Sequence, residues 1–476
     1  MTFFSRKDSI ISQYNSLAKS RLEWKQKNKY FHEQDLKYLS FLIPAESKIL
    51  DIGCGVGDTL AALKPAEGLG IDISDDMVTE AKRLYPELDF LSGDIEDENF
   101  INSVTDKFDV ILLSDTIGSL EDCQSTLNHL HKFCTRETRI IISYYSFLWS
   151  PFLKTAELLK LKMHQPEMNF LLADDINNLL DLAGFDVVKK EWRQLVPFSF
   201  FGIGNFINRY ITALPIIRKL CVRNYLVARS THIRTTPPSS CTVVIPCRNE
   251  KGNIEPAITR LPAFCENIEI IFIEGHSQDG TFDEALRVAN EYSQYDIKVL
   301  QQDGVGKADA VYKAFDHARG DILMILDADL TMPPEDLYKF WDAIHSGKGE
   351  YINGSRLVYP MDKDAMRLLN LIANHLFSII FSWLLNQRYT DTLCGTKVLR
   401  RSDYIKIKNE QSYFGEFDPF GDFDLIFGSS KQNLKMVEIP IRYKARDYGN
   451  TQISRFRHGL QLLRMVIHGY RKLKAF

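Results

Sequence analysis

The sequence predicts an α/β protein of two domains with mainly parallel sheets, and three observations lead to that prediction. The 476 residues are too many for one ordinary hydrophobic core. Apolar segments typical of strands alternate along the chain with segments of helical periodicity, a pattern typical of sheets covered by helices. A polar stretch with paired prolines and serines, THIRTTPPSS at residues 231–240, predicts a linker between the two halves.

Strand-like segments occur on both sides of this linker. Before it the predicted strands are 47–53, 68–73, 88–94, 108–115, 138–145, 185–192 and 223–230. After it they are 241–246, 268–274, 297–302, 321–328 and 435–445. No internal repeat relates the halves, so we expect two different domains of the same class.

Composition and charge exclude several classes of protein. Apolar residues make up 45% and charged residues 25% of the chain, as in ordinary globular proteins. The formal net charge is −4, and the lack of a basic excess argues against a nucleic-acid partner. The eight cysteines form no C-x-x-C pair, which favours reduced cysteines in the cytoplasm. The N-terminal sequence lacks the apolar core of a signal peptide.

Two apolar segments raise the question of a membrane. Residues 195–217 are aromatic but interrupted by glycine and proline, which predicts an apolar cover or a lipid-facing patch. Residues 368–385 are long enough to span a bilayer, but Asn370, Asn374 and His375 would be costly in hydrocarbon. We expect a buried or membrane-surface helix there. The predicted location is the cytoplasm, with a peripheral contact at the inner face of the membrane as the alternative.

A glycine-rich turn follows the first predicted strand. In KILDIGCGVGDTLAAL, Gly53, Gly55 and Gly57 allow a sharp turn and a close approach of the backbone to a ligand. The dinucleotide-binding fingerprint requires glycine at position 58, where this chain has Asp58, so NAD is disfavoured. Taken alone, the turn could equally be a tight connection between a strand and a helix.

Two carboxylates follow at the ends of the next two strands. Asp72 can accept hydrogen bonds from both hydroxyls of a ribose, and Asp94 can reach the amino group of an adenine. Their succession after the glycine turn favours an adenosine-containing cofactor over a purely structural turn.

This order of motifs resembles the class I S-adenosylmethionine-dependent methyltransferases. The motifs are DIGCGVG, GIDIS, GDIED and FDVILLSDTIGSL. The resemblance implies a Rossmann-like seven-stranded methyltransferase domain at residues 31–230, after a helical extension at 1–30, with S-adenosylmethionine as cofactor. It implies cofactor contacts for Asp51, Gly53, Gly55 and Gly57 at the amino-acid end, Asp72 at the ribose, Asp94 and Ile95 at the adenine, and Ser114 with Asp115 near the methyl-transfer mouth.

In the second half, an apolar strand finishes with two carboxylates. The segment DILMILDADLTM puts Asp327 and Asp329 two residues apart, so that both side chains project to the same side of a strand end. Like charges this close repel unless a cation neutralises them, and carboxylates suit Mg²⁺ or Mn²⁺ bound to substrate phosphates. The alternative is a pair of aspartates in a solvated turn. The end of a buried strand is where open α/β sheets bind ligands, which favours the metal site.

Three further motifs precede or follow the strands of this half: CTVVIPCRNEKGNIEPAI at 241–258, IEGHSQDGT at 273–281 and GVGKADAVYKAF at 304–315. Together with the aspartate pair, they resemble the family 2 glycosyltransferases of the GT-A fold. The resemblance implies a Rossmann-like domain with a mixed sheet at residues 241–476. It implies nucleotide-sugar contacts for Pro246, Asn249, Glu250, Glu274, Gly306, Lys307, Asp327 and Arg446. It also implies that Asp327 and Asp329 hold the metal ion.

Later segments resemble the polyprenyl-phosphate sugar transferases of that family. GSR at 354–356 and DTLCGTKVLRR at 391–401 resemble their acceptor-side segments. The segment 414–427 falls where an inverting enzyme carries its general base. Asp422 matches the base by its spacing to the following helix, and Asp424 matches the acidic position of dolichol-phosphate mannosyltransferase-like members, so both are candidates.

Together the resemblances imply a bacterial-type enzyme with two activities. The second half would transfer a sugar with inversion from a UDP- or GDP-sugar to a glycan or polyprenyl-phosphate-type lipid acceptor. The first half would transfer a methyl group in the same pathway of polysaccharide or cell-wall synthesis. One alternative is a glycosyltransferase whose first half only binds S-adenosylmethionine or is structural. The other is a nucleotide-binding scaffold without enzyme activity.

Overall fold

The computed structural model describes residues 6–166, 168–233, 237–359, 368–415, 421–444, 446, 448 and 455–476. These residues fall into two compact units that divide at residues 235–236. The predicted linker includes residues 234–236, which lie outside the described residues. The domain boundaries given above stay predictions.

The first unit is built on a seven-stranded sheet in the order β3-β2-β1-β4-β5-β7-β6. Its strands are β1 Lys48–Ile52, β2 Glu67–Asp72, β3 Asp89–Ser92, β4 Phe108–Ser114, β5 Cys134–Tyr145, β6 Phe185–Arg193 and β7 Arg223–Ser230. Strands β1 to β5 run parallel, and β7 is antiparallel to β5 and β6. The strand order reverses between β1 and β4, which makes the carboxyl ends of these strands the expected ligand crevice.

Helices cover this sheet. They are α1 Arg6–Leu17, α2 Arg21–Lys27, α3 Lys29–Leu42, α4 Asp58–Leu63, α5 Asp75–Leu84, α6 Glu98–Ser103, α7 Cys123–Leu130, α8 Ser150–Leu158, α9 Ala173–Leu182 and α10 Ile203–Phe206. Ser74 caps α5 by accepting a hydrogen bond from the N–H of Met77 at 3.2 Å. That helix buries Met77, Val78 and Ala81, while the apolar residues of β1, β4 and β5 fill the core of the unit.

The second unit contains another seven-stranded sheet, in the order β10-β9-β8-β11-β13-β12-β14. Its strands are β8 Ser240–Cys247, β9 Asn267–Glu274, β10 Asp296–Gln301, β11 Ile322–Ile325, β12 Tyr351–Ser355, β13 Lys397–Arg400 and β14 Met436–Pro440. β13 is antiparallel to β11 and β12, and the other pairs are parallel. The sheet is therefore mixed, as predicted.

Nine helices accompany this sheet among the described residues. They are α11 Ile254–Thr259, α12 Thr281–Glu291, α13 Lys307–His317, α14 Leu337–His345, α15 Leu368–Leu385, α16 Arg401–Asn409, α17 Gln411–Phe414, α18 Phe423–Lys431 and α19 Arg455–Leu473. In α15, Phe381 and Leu384 are buried, whereas Leu376 and Ile379 are exposed. This segment, predicted as a buried or membrane-surface helix, thus has both a buried and an exposed face.

None of the helices in the described part of the chain is both long enough and apolar enough to cross a membrane.

The predicted fold class is confirmed, and each predicted strand is present, but two details differ. Strands β12 and β13 were not predicted. Strand β11 ends at Ile325, so the expectation that Asp327 and Asp329 lie on the strand end is wrong. The two aspartates instead lie in the following turn, which is closed by a hydrogen bond of 3.2 Å from the N–H of Leu330 to the carbonyl of Asp327.

Candidate active sites

The glycine turn after β1 adopts a backbone that other residues rarely take. Gly53, Gly55 and Gly57 have φ angles of 75°, 57° and 77°, in the left-handed region that favours glycine. A Cβ at Gly53 would lie 2.3 Å from Oγ1 of Thr116, and a Cβ at Gly57 would lie 2.6 Å from the ring of Phe90. The turn therefore has no room for larger residues.

Asp72, at the end of β2, fixes this turn. Its carboxylate accepts hydrogen bonds from the N–H of Gly55 at 2.7 Å and from the N–H of Ser74 at 2.9 Å. Burial raises the pKa of Asp72, and the two backbone donors oppose that rise. The carboxylate predicted to bind the ribose is thus held in one orientation.

A cleft of about 100 Å³ lies beside the turn. Six of the eight predicted cofactor-binding residues line it, namely Gly53, Gly55, Asp72, Asp94, Ile95 and Ser114. Gly57 and Asp51 do not line the cleft, and Asp51 faces a neighbouring cavity instead. The structure therefore brings most, but not all, of the predicted residues together.

The N-terminal helices supply another wall of this cleft, which the sequence did not predict. Lys7 of α1 and Arg21 of α2 line it. The ammonium of Lys7 donates to Asp94 at 2.7 Å and lies 2.9 Å from a carboxylate oxygen of Glu96. Because Lys7 and Asp94 are 87 positions apart, no local sequence signal could have revealed this pairing.

A larger cavity of about 390 Å³ adjoins the cleft. Both are lined by Arg21, Gly53, Ser114, Asp115 and Gln165. Six aromatic side chains also line the larger cavity: Trp24, Phe31, Tyr145, Trp149, Phe152 and Phe198. The sequence indicated three of the five shared residues, Gly53, Ser114 and Asp115, but not Arg21, Gln165 or the aromatic cavity.

A buried guanidinium fixes the junction between cleft and cavity. Arg223 donates to both carboxylate oxygens of Asp35, at 3.1 and 3.2 Å, to Ser143 at 3.0 Å, and to Asp115. Burial alone would lower the pKa of Arg223, but Asp115 and Asp35 outweigh that effect and raise it. Asp115 itself has a left-handed backbone, with φ of 59°. A non-glycine residue in that conformation is uncommon and is often found at functional sites.

In the second unit, a cavity of about 310 Å³ lies beyond the carboxyl ends of β8 and β11. Of the predicted nucleotide-sugar and metal residues, it is lined by Pro246, Glu250, Gly306, Lys307, Asp327, Asp329 and Arg446. Asn249 and Glu274 do not line it. Both instead hold the loop that follows β9, because Asn249 accepts a hydrogen bond from the N–H of Gln278 at 2.9 Å and Glu274 accepts one from the N–H of Ser277.

Each of the two aspartates in this cavity is in direct contact with a cation. The ammonium of Lys307 donates to Asp327 at 2.7 Å, and the guanidinium of Arg446 lies 2.6 Å from Asp329. Burial alone would raise the pKa of Asp327, but the charge and hydrogen bond of Lys307 outweigh it and lower that pKa. Asp327 is therefore held as a carboxylate.

The acceptor-side segment between α15 and β13 approaches the aspartate pair closely. A Cβ at Gly395 would lie 1.9 Å from an oxygen of Asp327, so the carboxylate occupies the space that a side chain would need. Behind it, Arg356 forms two hydrogen bonds of 2.7 Å with the buried Asp391. The GSR and DTLCGTKVLRR motifs are thus joined by a buried ion pair.

The two candidate bases have different surroundings. Asp422 is buried, and its Oδ1 has no hydrogen-bond partner among the residues described. Its charge contributes to raising the pKa of Lys307 in the donor cavity. Asp424 accepts hydrogen bonds from Tyr312 at 3.2 Å and Gln411 at 3.4 Å and lines a different, very small pocket. Burial raises the pKa of Asp424.

Within the described ranges, no group of three or more histidine, cysteine, aspartate or glutamate residues is arranged to hold a metal ion. Asp327 and Asp329 would therefore supply only part of a coordination shell. This fits Mg²⁺, which is commonly bound by one or two carboxylates together with water and substrate phosphates.

Comparisons with known proteins agree with this arrangement. Residues 24–190 match the family described as methyltransferase domain, and residues 242–408 match glycosyl transferase family 2. The first half of the chain therefore contains a region that matches a methyltransferase domain, and the second half contains one that matches the family 2 glycosyltransferases. The predicted resemblance of each half to its family is confirmed.

Individual relatives match parts of the chain. Dolichol-phosphate mannosyltransferase of Saccharomyces cerevisiae is 34% identical over 110 residues, which are 22% of this chain and 40% of the relative. Undecaprenyl-phosphate 4-deoxy-4-formamido-L-arabinose transferase of Salmonella enteritidis is 32% identical over 224 residues, which are 46% of this chain and 64% of the relative. The chain thus spans less than two thirds of either relative. A crystal structure of an S-adenosylmethionine-dependent methyltransferase from Thermotoga maritima is 17% identical, with a TM-score of 0.37, and covers 47% of this chain and 100% of that chain.

Proposed function

We propose that the second unit transfers a sugar, with inversion, from a UDP- or GDP-sugar to a glycan or polyprenyl-phosphate acceptor. The observation that carries this proposal is the donor cavity, where two carboxylates and two cations meet beyond the ends of β8 and β11. A nucleoside diphosphate with a divalent ion has the complementary charges. The family match and the names of the two glycosyltransferase relatives support the same reaction.

In this proposal, Asp327 and Asp329 hold Mg²⁺ or Mn²⁺. The ion, when bound, would stabilise the negative charge that develops on the leaving diphosphate. Lys307 and Arg446 would exchange their aspartate partners for phosphate oxygens and thereby orient the donor. Pro246 and Glu250 would border the nucleoside, and Asn249 and Glu274 would hold the loops around it.

We assign Asp422 rather than Asp424 to the acceptor hydroxyl. Asp422 has a buried carboxylate oxygen without a partner among the described residues, and such an oxygen can accept a proton or a hydrogen bond from an acceptor. Asp424 already accepts two side-chain hydrogen bonds away from the donor cavity. If the acceptor is a phosphate that needs no deprotonation, Asp422 would position it.

Three variants test the sugar-transfer proposal. Asp329→Ala and Asp422→Asn should fold and lose nearly all transfer, whereas Asp424→Asn should retain most of it. The measurement is release of UDP or GDP from a panel of nucleotide-sugars in the presence of polyprenyl phosphate and Mn²⁺. Normal turnover by Asp329→Ala would exclude the metal assignment, and loss in Asp424→Asn alone would reverse the assignment of the base.

For the first unit, we propose methyl transfer from S-adenosylmethionine rather than binding alone. The observation that favours transfer is the junction of cleft and aromatic cavity, since a module that only binds the cofactor needs no second cavity. Asp115 and Ser114 border both spaces. An acceptor in the larger cavity would therefore lie next to a cofactor in the cleft.

The charged residues of this unit fit the amino-acid end of that cofactor. Nε of Arg21 and Oδ1 of Asp51 are buried without hydrogen-bond partners among the described residues. Arg21 would bind the carboxylate and Asp51 the ammonium, while Asp72 would hold the ribose and Asp94 the adenine. The bound cofactor would supply a methyl group on a sulfonium, which is reactive toward an oxygen or nitrogen nucleophile.

Binding measurements test this assignment. Gly55→Val would push a side chain against Arg21, since a Cβ at Gly55 would already lie 2.9 Å from Nε. We expect it to abolish S-adenosylmethionine binding by calorimetry while sugar transfer continues. Arg21→Ala should weaken binding about tenfold or more, as expected for a lost charged hydrogen bond. Unchanged affinity in both variants would exclude the cofactor site.

The joining of the two domains leads us to propose a shared glycan or lipid-linked substrate in bacterial polysaccharide or cell-wall synthesis. The protein would then act at the inner face of the membrane. Products made with both donors should carry the sugar and the methyl group on one molecule, detectable by mass spectrometry. Two separate singly modified products would contradict a shared substrate.

A further inference from the structure

The aromatic cavity of the first unit opens through an apolar rim. Phe152, Leu161 and Phe198 line the cavity, yet their exposed fractions are 65%, 54% and 58%. Trp149 lines it too, and its ring lies 5.5 Å from that of Phe152. Side chains that both line a cavity and face solvent form its entrance.

The apolar surface continues outward from this entrance. We call it the apolar lip, defined as the exposed apolar side chains of residues 147–161 and 198–220. Phe200, Phe201 and Ile216 are largely exposed although they do not line the cavity. Phe200 and Phe201 also have left-handed backbones, with φ of 42° and 51°. Bulky residues rarely adopt that conformation, and both rings are exposed here.

The two segments of the lip are joined by a hydrogen bond. Nε1 of Trp149 donates to the carbonyl of Leu220 at 2.8 Å. The two segments of the lip are therefore in direct contact, and both contribute residues to the cavity entrance.

The charge of the lip is strongly one-sided. No aspartate or glutamate occurs from residue 192 to residue 249. In 147–161 the one acidic residue, Glu157, is paired with Lys162 at 2.8 Å. Lys154, Lys160 and Lys219 are exposed. An apolar surface flanked by lysines is typical of proteins that lie on an anionic bilayer.

We propose that the lip rests on an anionic lipid bilayer and that the methyl acceptor is an amphiphile drawn from that bilayer into the aromatic cavity. The apolar chain of the acceptor would pass the entrance at Phe152 and Phe198, and its polar head would reach Asp115 at the junction with the cleft. The acceptor part of this inference rests on the proposed methyl transfer.

Methyl transfer to the polar head of the acceptor forms one bond and breaks one. A new bond joins the methyl carbon to an oxygen or nitrogen of the head, and the C–S bond breaks with its electron pair left on sulfur. The products are the methylated amphiphile and S-adenosylhomocysteine. The proton of the acceptor passes to the carboxylate of Asp115 and from there to solvent.

Vesicle flotation of the full chain tests the bilayer contact. We expect the protein to float with vesicles of phosphatidylcholine and phosphatidylglycerol, less with phosphatidylcholine alone, and less at high salt. Phe200→Ser with Phe201→Ser should lower the partition coefficient onto these vesicles about tenfold for each phenylalanine ring removed. Leu182→Ser is the matched control, because Leu182 is 57% exposed on α9, outside the lip.

The outcomes separate this inference from the proposed methyl transfer. Failure of the wild-type chain to float, or equal flotation of the double variant, would overturn the bilayer contact. A change in molecular mass between wild type and double variant would assign the lip to a second copy of the chain instead. Calorimetry with S-adenosylmethionine is the independent readout. If neither the wild-type chain nor any variant binds S-adenosylmethionine, the proposed methyl transfer is refuted, but the bilayer contact of the lip is not.

A labelling experiment tests the acceptor. Vesicles of total lipid extract from the source organism are incubated with the full chain and methyl-labelled S-adenosylmethionine, and the label is partitioned between organic solvent and water. We expect enzyme-dependent label in the organic phase, reduced in the double variant and unchanged in Leu182→Ser. If the label stays in the aqueous phase, or if no label is transferred to these lipids, the proposal that the methyl acceptor is an amphiphile is wrong.

Discussion

Asp51 is a buried carboxylate whose charge depends on pH near neutrality. Burial raises its pKa to about 7, so it loses its charge as the pH falls below that value. If Asp51 binds the ammonium of S-adenosylmethionine, affinity should fall about five- to tenfold from roughly pH 7.5 to roughly pH 6. Calorimetry at both pH values checks this. Asp51→Asn should bind weakly at both, and a wild-type affinity independent of pH would contradict the assignment.

Gly395 tests the geometry of the aspartate pair without removing a charge. Gly395→Ala should displace the carboxylate of Asp327 and lower the rate of sugar transfer about a hundredfold, because small misplacements in a site are costly. Gly459→Ala in α19 is the control, since a Cβ there meets nothing within 4 Å. Steady-state kinetics of both variants are the measurement. Wild-type kinetics in Gly395→Ala would mean that Asp327 need not hold its position.

At the residue scale, sequence reasoning located side chains that closely follow a strand. The glycine turn and Asp72 border the cleft of the first unit, and Asp327 and Asp329, in the turn after β11, border the cavity of the second. It missed Arg21 and Lys7 because their contacts are made across the fold by helices that look ordinary in sequence. It could not separate Asp422 from Asp424, since only packing reveals which carboxylate has partners.

Among the elements, the loop after α15 depends on a buried ion pair. Arg356→Met would leave the carboxylate of Asp391 buried without its partner, which typically costs about 3–5 kcal/mol in the free energy of unfolding. Urea unfolding should show this loss in the second unit. Arg356→Met with Asp391→Leu should recover part of it. Arg287→Met, at an exposed arginine, is the control. If Arg356→Met lowers the free energy of unfolding no more than Arg287→Met does, the ion pair of Arg356 with Asp391 has no structural role.

Strand prediction from sequence was accurate for long apolar segments and failed for two short ones. β12 reads YINGS, and its buried Asn353 and Ser355 interrupt the apolar pattern. β13 has four residues and begins with the buried Lys397, whose ammonium donates to Asn353 at 3.0 Å. Polar residues satisfied by one another inside a sheet give no apolar signal, so neither strand was visible beforehand.

At the scale of the whole molecule, two compact units predict two ligand-selective transitions. Saturating S-adenosylhomocysteine at about 100 times its dissociation constant should stabilise the first unit by about 2.7 kcal/mol, and UDP or GDP with Mn²⁺ should stabilise the second. Thermal unfolding with each ligand should move one transition by a few degrees. A shift with the nucleotide alone would reduce the first unit to a structural role.

The pairing of Asp327 with Lys307 and of Asp329 with Arg446 has a thermodynamic consequence. A metal ion arriving alone must separate both pairs and leave two cations unneutralised, and a diphosphate arriving alone leaves two carboxylates unneutralised. When both arrive, every charge finds a partner. Metal and nucleotide should therefore bind cooperatively, and by linkage each should tighten the other by the same factor. Titration of Mn²⁺ with and without UDP or GDP measures that factor, and a factor of one would show that the four side chains act independently.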